Sequence, residues 1–209
     1  KLQLALDTLD IEESLKCLKL IHEYVDIIEV GTPMLIQYGL SAVRAIKSNF
    51  PNHQVLADAK IIDAGEFEAS LCFDANADIV TVLGVSNSVT IANVLNVSRQ
   101  RNKKVMVDLI EVKDVHSKVI ELDEMGVDYI CVHTAYDIQS DKREPLDELQ
   151  TVNKAVRFSK SAIAGGIKLL TIEEVIKNNP EIIVVGGGIL NHPDPVFTAK
   201  TFYKRIKEV

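Results

Sequence analysis

Eight short runs rich in Val and Ile recur along this chain, each followed by a longer amphipathic stretch, and that alternation leaves few folds open. The runs occupy residues 2–6, 25–30, 54–57, 79–83, 105–110, 129–132, 161–164 and 182–185. Helical patterns lie between and after them at 11–23, 39–49, 66–76, 89–101, 115–125, 146–159, 172–178 and 195–207. In the first of these, Leu15, Leu18 and the pair Ile21/His22 recur at helical spacing. The runs are apolar throughout rather than alternately, which marks strands covered on both faces, as in a parallel sheet. No Pro/Gly/Ser-rich linker interrupts the rhythm, so residues 1–209 read as one domain. Eight strand–helix units predict an α/β fold of the (β/α)8 TIM-barrel type. A doubly wound dinucleotide-binding sheet would need a Gly-rich turn after its first strand. That turn reads Leu6-Asp7-Thr8-Leu9-Asp10, and the glycines gather instead after the last two strands.

Charge and cysteine content narrow the partners. A net charge of −7 argues against nucleic acid and against an acidic membrane surface, although a small anionic substrate feels only its pocket. Cys17, Cys72 and Cys131 are odd in number, widely spaced and free of any Cys-x-x-Cys pair, so they read as reduced thiols of a cytoplasmic protein. No signal-peptide pattern opens the sequence and no apolar run is long enough to span a bilayer.

The chemistry concentrates in Asp58-Ala59-Lys60-Ile61-Ile62-Asp63, where the strand at 54–57 is expected to run out into a loop. Unpaired charges are costly in a core, and the apolar neighbours do not suit a solvated helix face. A purely structural Asp–Lys ion pair is the alternative. In a barrel the active site lies at the carboxyl ends of the strands. Those positions give Asp7, Glu29, Asp58 with Lys60 and Asp63, Asp108 with Glu111 beyond, His133, Gly165-Gly166 and Gly186-Gly187-Gly188. The opposite ends show no comparable series. Glycines in the last two loops suit a phosphate, because close backbone approach needs residues without a Cβ; tight turns are the alternative. Glu29 and Asp58, on neighbouring strands, suit Mg²⁺ or Mn²⁺ better than zinc. His133 is a candidate proton carrier. His53, His116 and His192 fall in expected loops and His22 in an expected helix, and none is given chemistry. Asp147, Glu148 and the charged run at 141–144 read as solvated surface, while Tyr136-Asp137 is placed at the pocket mouth.

Asp58-x-Lys60-x-x-Asp63, Leu4-Ala5-Leu6-Asp7, Glu29-Val30-Gly31-Thr32, Val107-Asp108-Leu109-Ile110 and Cys131-Val132-His133-Thr134-Ala135-Tyr136-Asp137 together resemble the orotidine-5'-monophosphate decarboxylase superfamily. So do Ala162-Ile163-Ala164-Gly165-Gly166-Ile167-Lys168 and Val184-Val185-Gly186-Gly187-Gly188-Ile189. The resemblance covers essentially the whole chain and is strongest to the hexulose-6-phosphate synthase branch. The sibling 3-keto-L-gulonate-6-phosphate decarboxylases typically carry Glu at the place of Asp108 and Arg at the places of Tyr136 and Gly188. Ala59, in contrast, is shared with them.

The resemblance implies a metal-dependent aldol condensation of formaldehyde with D-ribulose 5-phosphate. Glu29 and Asp58 would then hold Mg²⁺ (or Mn²⁺), with Lys60 as a fixed charge flanked by Asp58 and Asp63. It further implies His133 moving the proton, Asp108 orienting substrate or water, and Asp7 contacting sugar hydroxyls. Asp63 would reach the neighbouring subunit's site, which makes a homodimer with shared active sites. Schiff-base chemistry at Lys60 is disfavoured, since flanking carboxylates keep the amine protonated. Decarboxylation of the sibling type, phosphosugar binding without turnover, and sugar-phosphate epimerisation are the alternatives. The last would call for a histidine-rich metal site, and the rim offers one histidine.

Overall fold

In a computed structural model, which describes residues 1–7, 10–139 and 145–208, the apolar runs become eight strands closed into one barrel in sequence order. They are β1 (Leu2–Leu6), β2 (Ile27–Val30), β3 (Gln54–Ile61), β4 (Ile79–Leu83), β5 (Lys104–Asp108), β6 (Tyr129–His133), β7 (Lys160–Ala164) and β8 (Ile182–Val185). Every neighbouring pair is parallel, and β8 closes on β1 through Leu2 opposite Ile183. The α/β TIM barrel expected from the alternation is the fold. Thr8, Leu9 and the charged run at 141–144 lie outside the described residues.

The continuous hydrophobicity of the strands has the expected cause. Outward residues such as Leu4, Ile28, Val55, Val80, Val107 and Ile130 join a core shared with the helices, while Ile27, Leu56, Ile79, Met106, Tyr129 and Ile182 fill the barrel interior. Each large aliphatic side chain so buried contributes about 1.5–3 kcal/mol. The helices are α1 (Ile11–Ile21), α2 (Thr32–Tyr38), α3 (Ser41–Asn49), α4 (Gly65–Asp74), α5 (Ser88–Gln100), α6 (Val115–Met125), α7 (Leu146–Ala155), α8 (Ile172–Lys177), α9 (Gly187–Leu190) and α10 (Pro195–Lys207). Asp10, Asn87, Asp114 and Asp194 cap the starts of α1, α5, α6 and α10 by accepting backbone N–H groups. Among the described residues no helix is long and apolar enough to cross a membrane.

Three expectations need correction. Residues 39–49 were expected to form one helix, but α3 starts at Ser41 and a separate α2 precedes it; Pro33 in the first turn and Gly39 at the end are its start and stop signals. His116 belongs to the first turn of α6 rather than to a loop. The third concerns β3, which does not end at Ala57. Ala57 pairs with Val80, and the next pair, Ile61 with Val82, is four residues on in β3 but two in β4. The resulting bulge keeps Asp58, Ala59 and Lys60 within the strand and re-aims their side chains. It places Lys60 at φ 47°, a left-handed conformation that costs a non-glycine residue roughly 1–2 kcal/mol.

The amino ends of the strands do carry a polar series, contrary to the sequence reading. An acidic residue precedes each even-numbered strand: Asp26, Asp78, Asp128 and Glu181. Asp26 and Leu2 bond reciprocally, Leu2 N–H to Oδ2 at 2.8 Å and Asp26 N–H to the Leu2 carbonyl at 2.9 Å. Val55 and Asp78 repeat the arrangement at 2.9 and 2.7 Å, and Val105 N–H reaches Asp128 Oδ2 at 3.0 Å. These carboxylates satisfy backbone donors that a strand's start leaves unpaired.

Asp78 also pairs with Lys47 and Lys103, each at 2.7 Å. Burial pushes its pKa up, but the bonds from Lys103, Lys47 and Val55 N–H outweigh that and hold it below the usual carboxylate range. A lowered folded pKa gives stability that is present above the unfolded value, about 3.9 for Asp, and lost as pH falls through the folded one. Asp78→Asn is therefore expected to cost about 2 kcal/mol at pH 7. In urea melts the gap to the parent should close as pH drops below about 4; a gap independent of pH would assign the loss to packing.

Candidate active site

The carboxyl ends of the strands gather the candidate residues around one mouth. Asp58 (5% exposed) lies in the bulge of β3 with both carboxylate oxygens engaged. Thr81, from β4, donates to Oδ1 at 2.9 Å; Thr32, at the start of α2, donates to Oδ2 at 2.8 Å. Lys60 Nζ forms a close ion pair with the same Oδ2 and donates to Thr32 Oγ1 at 3.1 Å. The Lys60 backbone N–H donates to Thr81 Oγ1 at 2.9 Å, so one threonine pins both the acid and the bulge. Burial alone would favour a neutral amine. The charge of Asp58 and its hydrogen bond, with Asp108 and Glu29 behind them, outweigh burial and raise the Lys60 pKa above the usual lysine value.

Glu29, at 7% exposed on β2, accepts a 2.7 Å hydrogen bond from Gln3 Nε2 of β1. Burial, and then the negative charge of Asp58, push its pKa up to about 8. Asp7 lines the concave mouth, open to water yet surrounded by protein. Desolvation and then Asp58 push it upward, and Lys60 and His133 pull it back. Gly31 makes room for this carboxylate, because a Cβ there would collide with Asp7 Oδ1.

On the other side of the mouth, Asp108 ends β5 and His133 ends β6. His133 Nδ1 and Asp108 Oδ2 are 2.7 Å apart, and Asp108 Oδ1 accepts from Ile110 N–H at 2.9 Å. Each Asp108 oxygen thus has one partner within the chain, and the residue holds the imidazole. Asp63 stands apart from the other acids. It is exposed, its Oδ1 accepts from Ala64 N–H at 2.7 Å, and among the described residues it makes no ion pair with Lys60. It lines a 490 Å³ recess with Phe67, Val89 and Thr90, and Phe67, Val89 and the adjacent Ile62 are exposed.

The glycine loops after β7 and β8 touch each other. Gly188 packs so closely on the Ile167 carbonyl that a Cβ would collide, and Gly165 (φ 100°) lies equally close to the Thr134 carbonyl. Those two glycines have a packing reason of their own. At Gly166 (φ 74°) the nearest neighbour of a Cβ would be Gln139, at 3.7 Å, and at Gly187 it would be the mobile end of Asn191. Gly186 precedes α9, with Asp7 Oδ2 at 3.1 Å from the place of its missing Cβ. Tyr136, 84% exposed in a short turn after β6, stands at the surface.

Three hydrogen-bonding residues escaped the sequence reading: Gln3, Thr32 and Thr81. For Gln3 and Thr81 a signal existed, since each is the lone polar residue inside an otherwise apolar stretch of strand, and such a group needs a buried partner.

Hard oxygen ligands and excess negative charge fit a divalent cation. Asp7, Glu29, Asp58 and Asp108 stand with Lys60 and His133, and beyond the effect of burial the negative charge of Asp58 adds to the upward push on Glu29, a repulsion that a cation relieves. Among the described residues no group of three or more His, Cys, Asp or Glu side chains is placed to hold a metal. A cation here would have two protein carboxylates and take further oxygens from substrate and water.

The profile of the Orotidine 5'-phosphate decarboxylase / HUMPS family matches residues 1–202. A 3-hexulose-6-phosphate synthase of Bacillus subtilis (strain 168) is 47% identical over 199 residues, 95% of either chain. The crystal structure of 3-hexulose-6-phosphate synthase from Salmonella typhimurium superposes with a TM-score of 0.97 at 42% identity, covering 100% of this chain and 99% of that one. A 3-keto-L-gulonate-6-phosphate decarboxylase from Vibrio cholerae shares the fold, with a TM-score of 0.87 at 23% identity over 99% of this chain and 97% of its own.

Proposed function

The chain belongs to the Orotidine 5'-phosphate decarboxylase / HUMPS family, and from that premise we infer that it is a lyase of the 3-hexulose-6-phosphate synthase type. It condenses formaldehyde with D-ribulose 5-phosphate to D-arabino-hex-3-ulose 6-phosphate and runs the reverse cleavage. The observation that carries this reading is the Lys60 ammonium, locked on Asp58 and Thr32 at the mouth where Glu29 and the Asp108–His133 pair converge. That arrangement suits making a carbanion beside a carbonyl. Purified protein given ribulose 5-phosphate, formaldehyde and Mg²⁺ should form the hexulose phosphate. Release of CO₂ from 3-keto-L-gulonate 6-phosphate without formaldehyde fixation would assign it to the sibling reaction instead.

Glu29 and Asp58 would hold Mg²⁺ or Mn²⁺, which supplies positive charge to the vicinal oxygens of a bound ketose phosphate. The rest falls to the chain's own residues. His133, with Nδ1 tied to Asp108, presents Nε2 as the base that takes a proton from C1 of ribulose 5-phosphate. Lys60 sets a full charge beside the enediolate that results. C1 then bonds to the carbon of formaldehyde, and the proton on His133 passes to the new alkoxide, which becomes the terminal hydroxyl. Asp7 accepts from the sugar hydroxyls.

The glycine loops after β7 and β8 hold the phosphate. Gly187 is the informative position, because its φ is unremarkable and a side chain there meets only the flexible Asn191 amide. Gly187→Val should raise KM for ribulose 5-phosphate at least about tenfold, the loss of one good anion contact, with the melting temperature nearly unchanged. An unaltered KM would leave these turns a structural role alone.

Asp63 is exposed and shares a recess with the exposed Phe67 and Val89, a surface that a second copy would bury. The working unit is therefore a homodimer whose Asp63 side chains complete the partner's site. Three cysteines free of disulfides, Cys17, Cys72 and Cys131, support residence in the reducing cytoplasm.

A further inference from the structure

We infer that Gln3 is a positioning residue for the divalent cation, fixing the Glu29 carboxylate so that one oxygen stays free to receive the ion; this rests on the two-carboxylate site proposed above. Gln3 is 1% exposed and is the one polar side chain of β1, opposite Ile27 in the register and hence two residues below Glu29 on β2. Its Nε2 donates to Glu29 Oε2 at 2.7 Å in a fully buried bond. Among the described residues that amide is the only hydrogen-bond partner of the Glu29 carboxylate.

The other end of the amide identifies the purpose. Gln3 Oε1 is buried with no hydrogen-bond partner. An orphaned interior carbonyl is destabilising, and an apolar side chain of similar size would fill the same space without that penalty. The amide's one satisfied end is therefore the end that holds Glu29. A neutral donor suits the task. A lysine in its place would compete with the cation as a counter-charge, whereas an amide tethers Oε2 without bringing a positive charge of its own. With Oε2 tethered, Oε1 has no hydrogen-bond partner among the described residues and is left to receive the ion. Partners of this kind, one bond removed from a ligand, typically tune metal affinity without touching substrate.

The test compares metal-free wild-type protein with Gln3→Leu, and with Gln3→Met as a second variant should leucine disturb packing. Mn²⁺ binding is followed by the electron-spin-resonance signal of free ion, and thermal melts are run in parallel. The expected result is an affinity about 10–100-fold weaker in the variants, which still melt cooperatively. Turnover should recover when Mn²⁺ is raised to saturation, while KM for ribulose 5-phosphate is unchanged. Unaltered Mn²⁺ affinity, whether or not the melting temperature falls, would overturn the inference and leave Gln3 a packing residue. So would turnover that stays low at saturating Mn²⁺. Wild-type protein that binds no Mn²⁺ would instead remove the two-carboxylate site itself, so the two failures are distinguishable.

Discussion

Lys60→Ala is expected to lower turnover by at least about a thousandfold, since removing one preorganised donor costs about a hundredfold to a thousandfold and here a full charge is lost. The geometry argues for a charge rather than a nucleophile. Nζ is paired with Asp58 and bonded to Thr32, and its pKa is raised, with the pull of Asp58 overcoming burial. An amine so held is protonated at neutral pH and has no lone pair with which to attack a ketone. Borohydride added during turnover should therefore leave activity intact and the mass of the protein unchanged. A reduced sugar adduct on Lys60 would replace the electrostatic role with a covalent one. The same variant tests the shared site. Mixing Lys60→Ala with Asp63→Ala subunits should restore about one quarter of wild-type activity, because in a two-fold dimer each mixed pair carries one intact site. No recovery after subunit exchange would confine Asp63 to its own chain.

The second large effect is expected from the acidic side of the mouth. Chelation should reduce turnover to background, Mg²⁺ or Mn²⁺ should restore it, and Glu29→Gln should abolish the restoration while preserving side-chain size. Glu29 carries a further signature. In the metal-free protein burial and Asp58 hold its pKa up to about 8, so at pH 7 it is mostly protonated. A cation needs the carboxylate, so binding must displace that proton. Metal affinity should strengthen as pH rises toward 8 and level off above it, and calorimetry at pH 7 in two buffers should register proton release. Full activity in excess chelator would remove the cation from the mechanism.

Much of this was legible before any coordinates. Apolar runs without alternation can be satisfied only by strands covered on both sides, and eight of them spaced by helical patterns close most readily as a barrel. Once the barrel is granted, the carboxyl ends of the strands follow by reading along the chain, and Asp7, Glu29, Asp58, Lys60, Asp108 and His133 fall at one mouth. The helix that begins at Thr32 has signals of its own in Pro33 and Gly39, although the helical pattern at 39–49 leaves it out. The acids before β2, β4, β6 and β8 were equally visible, and only the barrel gave them a purpose.

What the sequence by itself determined was the type and order of the elements and the rim to which each charged group belongs. Those depend on local periodicity, which neighbouring residues encode directly. Only the tertiary structure decided which groups meet. His133 and Asp108 are 25 positions apart and 2.7 Å in space; Gln3 reaches Glu29 and Thr81 reaches Asp58 across neighbouring strands; Asp63, five residues from Asp58, turns away. Such pairings depend on strand register and on the bulge in β3, where two extra residues re-aim Lys60. Register is set by the packing of whole faces against one another, and no short stretch of sequence contains both faces.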